Sequence, residues 1–343
     1  MQASYLKPIG AALSTGIVMM IAVMIHNLTL GTLGVLGAFA FLAFQDRSVY
    51  YNVKAISLHG LALLVAFLLG ASTAYSPWLL PFVTASLSFG AFLITKLYRI
   101  PKPDYFFVLM VFATGYNFQK PLHEILTYHV WGLLLGVVVS VIVGVEISRL
   151  LKLPFSLWPY VPKRLTLKQR YQFMLTKDPT VLVKASHFSS ILFVTSYIAY
   201  LLIDKGGYWV LISSAAVLSG EHLEHIKKRT IGRVLGTIVG IVIGLGIIQL
   251  HVSVTYLILL LVLFNFLTEY YMPRQYTIAN FFTNPQVIIL MALSNSFRHS
   301  VLTIRFLGVF IGSLLTLFII LILEYALQSM IDHKATIKEW VDD

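Results

Sequence analysis

The chain has 343 residues, of which 58% are hydrophobic and 11% charged, and its mean hydropathy is +0.84. A water-soluble domain carries about 25% charged residues, so a soluble globular class is excluded and most of this surface must meet lipid or other apolar helices. The net charge of +11 is spread over short loops rather than gathered into one basic domain, which reports membrane orientation and not nucleic-acid binding. With no cysteine, disulfides, thiol catalysis and cysteine-ligated metals are removed together.

At the start of the chain, Lys7 precedes an apolar run from Ile9 to Ile25. His26-Asn27-Leu28 offers no small-residue cleavage site, and a second apolar run follows at once. The first run is therefore expected to stay as a helix and not act as a removable signal. Apolar stretches near the length of a bilayer crossing, about 17–25 residues, are expected at 9–26, 29–45, 54–73, 77–96, 103–117, 127–148, 182–203, 207–220, 231–250, 253–271, 276–294 and 301–324. The fifth and eighth are short. The expected fold class is an all-α polytopic membrane protein of about twelve transmembrane helices.

An even number of crossings puts both termini on one side of the membrane. The loops on that side hold Arg47 and Lys54; Lys96, Arg99 and Lys102; Lys227, Lys228 and Arg229; and Arg274, whereas the other side keeps little beyond Lys120, Lys205 and Arg298. The bias predicts cytoplasmic N- and C-termini in the cell membrane. Residues 149–181, with Lys152, Lys163, Arg164, Lys168 and Arg170 beside Pro154, Pro159 and Pro162, are expected to form a basic cytoplasmic linker on the anionic inner leaflet. Residues 326–343 are expected to be a cytoplasmic tail.

An offset of 176 lays Gly31 on Gly207, Gly60 on Gly236, Gly70 on Gly246, Gly132 on Gly308 and Gly136 on Gly312, without a gap. That is more coincidence than random placement of 22 glycines in 343 residues gives. The expected organisation is two tandem six-helix repeats, 1–148 and 182–325. An even helix count makes the repeats parallel, with their interface the natural place for a pathway. Close helix packing is the plainer use of the same glycines.

The most specific stretch is Tyr208-Trp209-Val210, an apolar run to Leu218, and then Arg229-Thr230-Ile231-Gly232-Arg233-Val234-Leu235-Gly236-Thr237-Ile238-Val239-Gly240. With Asn280-Phe281-Phe282-Thr283-Asn284-Pro285 and Arg305-Phe306-Leu307-Gly308…Gly312, it resembles the fusaric acid resistance (FUSC) family, relatives of the aromatic acid exporters. The likeness is clear over 207–312 and faint in the first half, where Val53 stands in place of Arg229. Many members of that family carry large cytoplasmic domains after each membrane half. Here only 149–181 and 326–343 stand in those places. The resemblance implies export of organic anions such as aromatic carboxylates. The plant aluminium-activated malate channels are similar in fold and conduct organic anions passively.

Arg229 and Arg233 are four apart and can share a helix face. Arg233 lies about a turn inside its span, where it either snorkels to the interface or lines an aqueous path. Pro285 sits mid-span with Asn280, Thr283 and Asn284, and a proline there removes a helix hydrogen bond, so a broken helix facing a cavity is expected. With the resemblance, candidate substrate contacts are Arg229, Arg233, Thr283, Asn284, Arg305, Tyr208, Trp209, Phe281 and Phe282. Arginines would gather the anion, aromatic rings would meet its ring, and Thr283 and Asn284 would hydrogen-bond near the midplane. His59 and Asp104 are candidate proton-coupling groups, although an interface anchor or an ion pair is the plainer role of each.

Glu221-His222-Leu223-Glu224-His225 has the wrong spacing for a zinc-protease helix, and no glycine-rich run is followed by the Lys-Ser/Thr of a phosphate loop. No metal, cofactor or enzymatic activity is expected. The favoured reading is a secondary transporter exporting organic anions, with aromatic carboxylic acids as substrates. A passive organic-anion channel and a non-transporting scaffold of an envelope complex are the alternatives. The expected partners are a small organic anion and the lipid bilayer, with homo-oligomerisation open and no nucleic acid.

Overall fold

The computed structural model describes residues 3–101, 105–118, 120–155, 165–202, 206–294 and 296–342. The regular structure among them is helical. The first half holds α1 (Ala3–Met24), α2 (Leu28–Ala38, tightening into a 3-10 turn Phe39–Ala43), α3 (Val49–Thr73), α4 (Leu80–Tyr98) and α5 (Phe106–Asn117). It ends with the single turn α6 (Leu122–Glu124), which widens into a π turn Ile125–His129 before α7 (Val130–Leu150). Then come α8 (Leu167–Lys177), α9 (Val181–Leu201), α10 (Tyr208–Leu218), α11 (Leu223–Gln249), α12 (Val254–Tyr271), α13 (Tyr276–Leu293) and α14 (His299–Asp342).

Among the described residues, nine helical segments are long and apolar enough to cross a membrane. The chain is a multi-pass membrane protein. Three shorter apolar helices, Leu28–Ala43, Phe106–Asn117 and Tyr208–Leu218, fall on the second, fifth and eighth expected stretches. The second was expected at full length but leaves α-geometry at Ala38. At about 1.5 Å per residue, the eleven residues of α10 reach roughly half of a ~30 Å hydrocarbon core. Trp209 through Leu218 are all buried, so α10 is wrapped by protein and does not face lipid.

Both segments expected outside the membrane contain helix. The 149–181 linker contains α8, nucleated by a reciprocal cap in which Gln169 N–H donates to Thr166 Oγ1 at 3.3 Å and Thr166 N–H donates to Gln169 Oε1 at 2.9 Å. Its Met174 is buried, and the Arg99 guanidinium lies 3.9 Å from the Phe173 ring, so α8 is docked on the end of α4. Beyond the apolar span that ends at Ala326, α14 continues helically to Asp342. Just before α9, Asp178 accepts from Lys184 Nζ at 2.7 Å and from the backbone and hydroxyl of Thr180, at 3.1 and 2.6 Å. Lys184 and Thr180 hold its carboxyl at about 2.

Three helix pairings recur in the two halves, whereas α12 packs closely on α13 and α4 barely touches α5. α2 lies on α7 as α10 lies on α14, α3 on α5 as α11 on α13, and α1 on α2 as α9 on α10. Between halves, α1 packs on α12 and α4 on α9. The first of these joints carries a buried hydrogen bond from Asn265 Nδ2 to Thr15 Oγ1 at 2.7 Å.

Glycine sets the closest approaches. A methyl group on Gly136 of α7 would run into the carbonyl oxygen of Gly34 on α2, and backbone cannot move aside as a side chain can. Gly136→Ala is expected to cost on the order of 1–3 kcal/mol, the usual range for overpacking. The check is the melting temperature in detergent against Gly90→Ala, where an added methyl meets nothing within 4 Å.

Candidate functional site

The site is built by four helices of the second half: α10, α11, α13 and α14. Residues four apart on a helix share a face. That rule aligns Trp209 and Ser213 on α10, Arg229 and Arg233 on α11, and Tyr276, Asn280 and Asn284 on α13. Gly236 and Gly240 of α11 let α13 come close, because methyl groups there would collide with Cβ of Asn280 and Asn284 respectively. Asn284 then fastens the pair by donating from Nδ2 to the Gly236 carbonyl at 3.2 Å and to Asn280 O at 2.9 Å.

Three arginines climb this packed seam. Arg229, at the α10–α11 corner, donates from Nη1 to Ala216 O at 3.1 Å and to Ser219 Oγ at 2.6 Å, and lies 4.5 Å from the Tyr276 ring. It thereby satisfies the carbonyl end of α10, where a cation is favoured by the helix dipole. One turn further, Arg233 donates from Nε to Ser213 Oγ at 3.3 Å and makes a long 3.5 Å contact from Nη1 to Asn280 Oδ1. Ser213 is held in turn by Val309 O and Ser313 Oγ of α14, at 3.1 and 2.8 Å. At the next level Arg305 of α14 donates from Nε and Nη2 to Asn284 Oδ1, at 3.2 and 2.8 Å, with its guanidinium 3.9 Å from the Trp209 ring. From Tyr276 to Asn284 the ladder rises about 12 Å at 1.5 Å per residue.

The electrostatics are one-sided. Arg233 and Arg305 are 8% and 3% exposed, and among the described residues no carboxylate pairs with either. A buried guanidinium without a counter-charge costs several kcal/mol. Hydrogen-bond donors are also left over: Arg305 Nη1, Trp209 Nε1 and the Tyr276 hydroxyl are buried and find no partner among the described residues. Buried polar groups are normally satisfied. A surplus donor on an uncompensated positive charge, as at Arg305 Nη1, is the chemistry of an anion site.

Residues 193–319 match the family model described as fusaric acid resistance protein-like. That span contains every rung of the ladder. The matched segment is similar to that family, and the match covers the second half of the chain only. No curated protein and no solved structure matches the chain significantly. Apolar membrane-length helices together with this similarity fit a transporter.

Within the matched segment the structure gathers only part of the expected set. Arg233, Asn284, Arg305 and Trp209 converge, and Tyr208 packs on Trp209 with ring centroids 4.7 Å apart. Arg229 joins them chiefly as the cap of α10. Phe282 and Thr283 face the other way, toward α12: Phe282 stacks near Phe264 and Tyr271 at 5.9 and 6.0 Å, and Thr283 bonds Ala279 O at 3.0 Å and reaches Thr268 Oγ1 at 3.5 Å. Phe281 is half-buried on α13. His59 is half-buried on α3 of the first half, outside the four site helices, and its Nε2 has no hydrogen-bond partner among the described residues. Asp104 lies outside the described residues.

The break expected at Pro285 is corrected: α13 runs unbroken from Tyr276 to Leu293 with the proline inside it. Neighbouring side chains hold the turns together by donating to carbonyls four residues back, Asn280 to Tyr276, Asn284 to Asn280 and Gln286 to Phe282, at 2.8, 2.9 and 3.2 Å. Sequence reasoning missed Ser213, Asn280 and Tyr276 as members of the site. Their signal was polar residues at four-residue spacing, in register with the arginines, on otherwise apolar helices.

Proposed function

We propose that the chain is a secondary transporter that moves organic anions, aromatic carboxylates foremost, out across the cytoplasmic membrane. It has twelve membrane helices in two parallel repeats and cytoplasmic termini. The observation that carries this reading is the buried Arg233–Arg305 pair, with no carboxylate partner among the described residues and with unpaired donors beside it. An incoming carboxylate supplies the missing charge and the missing acceptors at once. The Trp209, Tyr208 and Tyr276 rings next to the guanidiniums supply apolar, quadrupolar surface for an aromatic body.

The burial of both arginines favours a carrier that opens and recloses around its cargo over a permanently open channel. These groups are donors and ring faces, with no nucleophile–base pair assembled among them, and this supports transport rather than catalysis. Export of an anion is assisted by an interior-negative potential by about 2.3 kcal/mol per charge per 100 mV, and a proton gradient can add to it.

The test is efflux of preloaded radiolabelled benzoate from cells, comparing the intact protein with Arg233→Gln at equal membrane abundance. Charged hydrogen bonds contribute about 1.5–3 kcal/mol, so the variant is expected to slow protein-dependent efflux roughly 10-fold or more. Dependence on the proton gradient at constant potential identifies coupling, and dependence on potential alone identifies passive conduction. If no protein-dependent efflux of any aromatic or aliphatic acid is found, the transporter reading is lost and the scaffold reading takes its place.

A further inference from the structure

We propose that the chain holds one anion site, formed wholly by the second half, and that the first half is a partner of the same shape that binds no anion. This rests on the anion reading above but goes beyond it, since two tandem repeats would by default supply two sites.

The comparison between halves can be made residue by residue because one helix pair is conserved in register. On α7, Gly132 stands against Leu33 of α2, and on α14 Gly308 stands against Trp209 of α10; methyl groups there would lie 2.9 and 2.6 Å from the facing Cβ atoms. Four residues on, a methyl on Gly136 would strike Gly34 O, and one on Gly312 would strike Val210 O. All these positions differ by the same 176. A third pair obeys the same offset: Gly37 abuts Leu133 O, and Ser213 donates to Val309 O. The two helix pairs therefore superpose in register, and the rungs on α10 and α14 have defined counterparts on α2 and α7.

Those counterparts cannot bind an anion. Leu33 takes the place of Trp209, which removes the ring face and the indole donor. His129 takes the place of Arg305, and it is already engaged: it is 7% exposed, its Nδ1 lies 3.2 Å from Glu124 O, and its ring meets Phe118 edge-on at 4.7 Å. At the Ser213 position, Gly37 lets α2 press directly on the α7 backbone, so the space a hydroxyl holds open in the second half is closed in the first. The offset also places Val53 and Ser57 at the positions of Arg229 and Arg233, and Val108 at that of Asn284. Every charged rung is lost except a histidine that is bonded locally. The glycines that set helix contact are kept. Selection of packing without donors is what a scaffold half requires.

The experiment is saturation binding of tritiated benzoate to the full chain in lipid nanodiscs, read by scintillation proximity with protein counted independently. The expected stoichiometry is one per chain. Arg305→His, which installs the first half's residue, is expected to weaken binding at least 10-fold, and Trp209→Leu is expected to move it in the same direction. His129→Gln is expected to leave one site of unchanged affinity. A stoichiometry of two, or loss of a site in His129→Gln with a normal melting temperature, would overturn the single-site proposal while leaving the anion reading intact. No saturable binding by the unaltered protein, together with no protein-dependent benzoate efflux, would sink both.

Discussion

Arg305→Gln is expected to slow anion efflux by at least ~10-fold and at the same time to raise the melting temperature. The opposite signs follow from the geometry. Arg305 is 3% exposed, shares one acceptor between Nε and Nη2, leaves Nη1 unpartnered and pairs with no carboxylate among the described residues. Removing a buried, uncompensated charge relieves a desolvation penalty of several kcal/mol. The loss of the stacking over Trp209 costs only about 0.5–2 kcal/mol, and a glutamine amide can still donate to Asn284 Oδ1. The anion loses more, because each charge-assisted hydrogen bond it made is worth about 1.5–3 kcal/mol. Efflux at matched abundance and thermal unfolding in the same detergent read the two effects separately. A variant that melts lower, with efflux falling only as far as its abundance falls, would assign Arg305 to structure.

That contrast also marks where the sequence was readable. The helical, multi-pass character follows from composition and run length alone, and the expected stretches find helices where bilayer-length apolar runs were seen. The Arg229–Arg233 spacing and the glycines at 236 and 240 were legible because helical periodicity is a local property. The composition of the site was less so. Asn280 through Pro285 is contiguous in sequence, but each helical residue turns about 100° from the last, so Asn280 and Asn284 face the arginines while Phe282 and Thr283 face α12. Nothing local says which face meets which neighbour. Ser213 was invisible for the same reason, since its role is fixed by Arg233 twenty residues away and by Val309 and Ser313 nearly a hundred away. Pro285 misled because a proline inside a helix need not break it: side-chain amides on either side donate to the Tyr276, Asn280 and Phe282 carbonyls, and α13 runs on through it. In the linker, the strongly basic composition masked a short helix whose start is written in the Thr166–Gln169 pair.

Asn284→Asp is expected to abolish high-affinity anion binding with little change in thermal stability. The substitution keeps the side chain's shape and exchanges an amide nitrogen for a charged oxygen. The gain is a counter-charge for Arg305, whose two donors already converge on Oδ1 at 3.2 and 2.8 Å. A buried ion pair with that fork geometry is worth about 3–5 kcal/mol against the unpaired state. The loss is the pair of bonds from Nδ2 to Gly236 O and Asn280 O, which leaves two carbonyls facing an oxygen at about 1–3 kcal/mol each. The two effects nearly cancel in stability. They do not cancel for a ligand: the net charge at Arg305 falls from positive to neutral, and an incoming carboxylate meets a carboxylate already in its place. Benzoate binding to Asn284→Asp in nanodiscs is therefore expected to fall ~100-fold or more, about 2.7 kcal/mol at 1.36 kcal/mol per tenfold step. Asn284→Leu, which removes Arg305's acceptor among the described residues without adding charge, is expected to lower the melting temperature. Retention of full binding by Asn284→Asp would mean that the uncompensated charge at Arg305 is not what holds the anion, and the ladder would lose its functional reading at that rung.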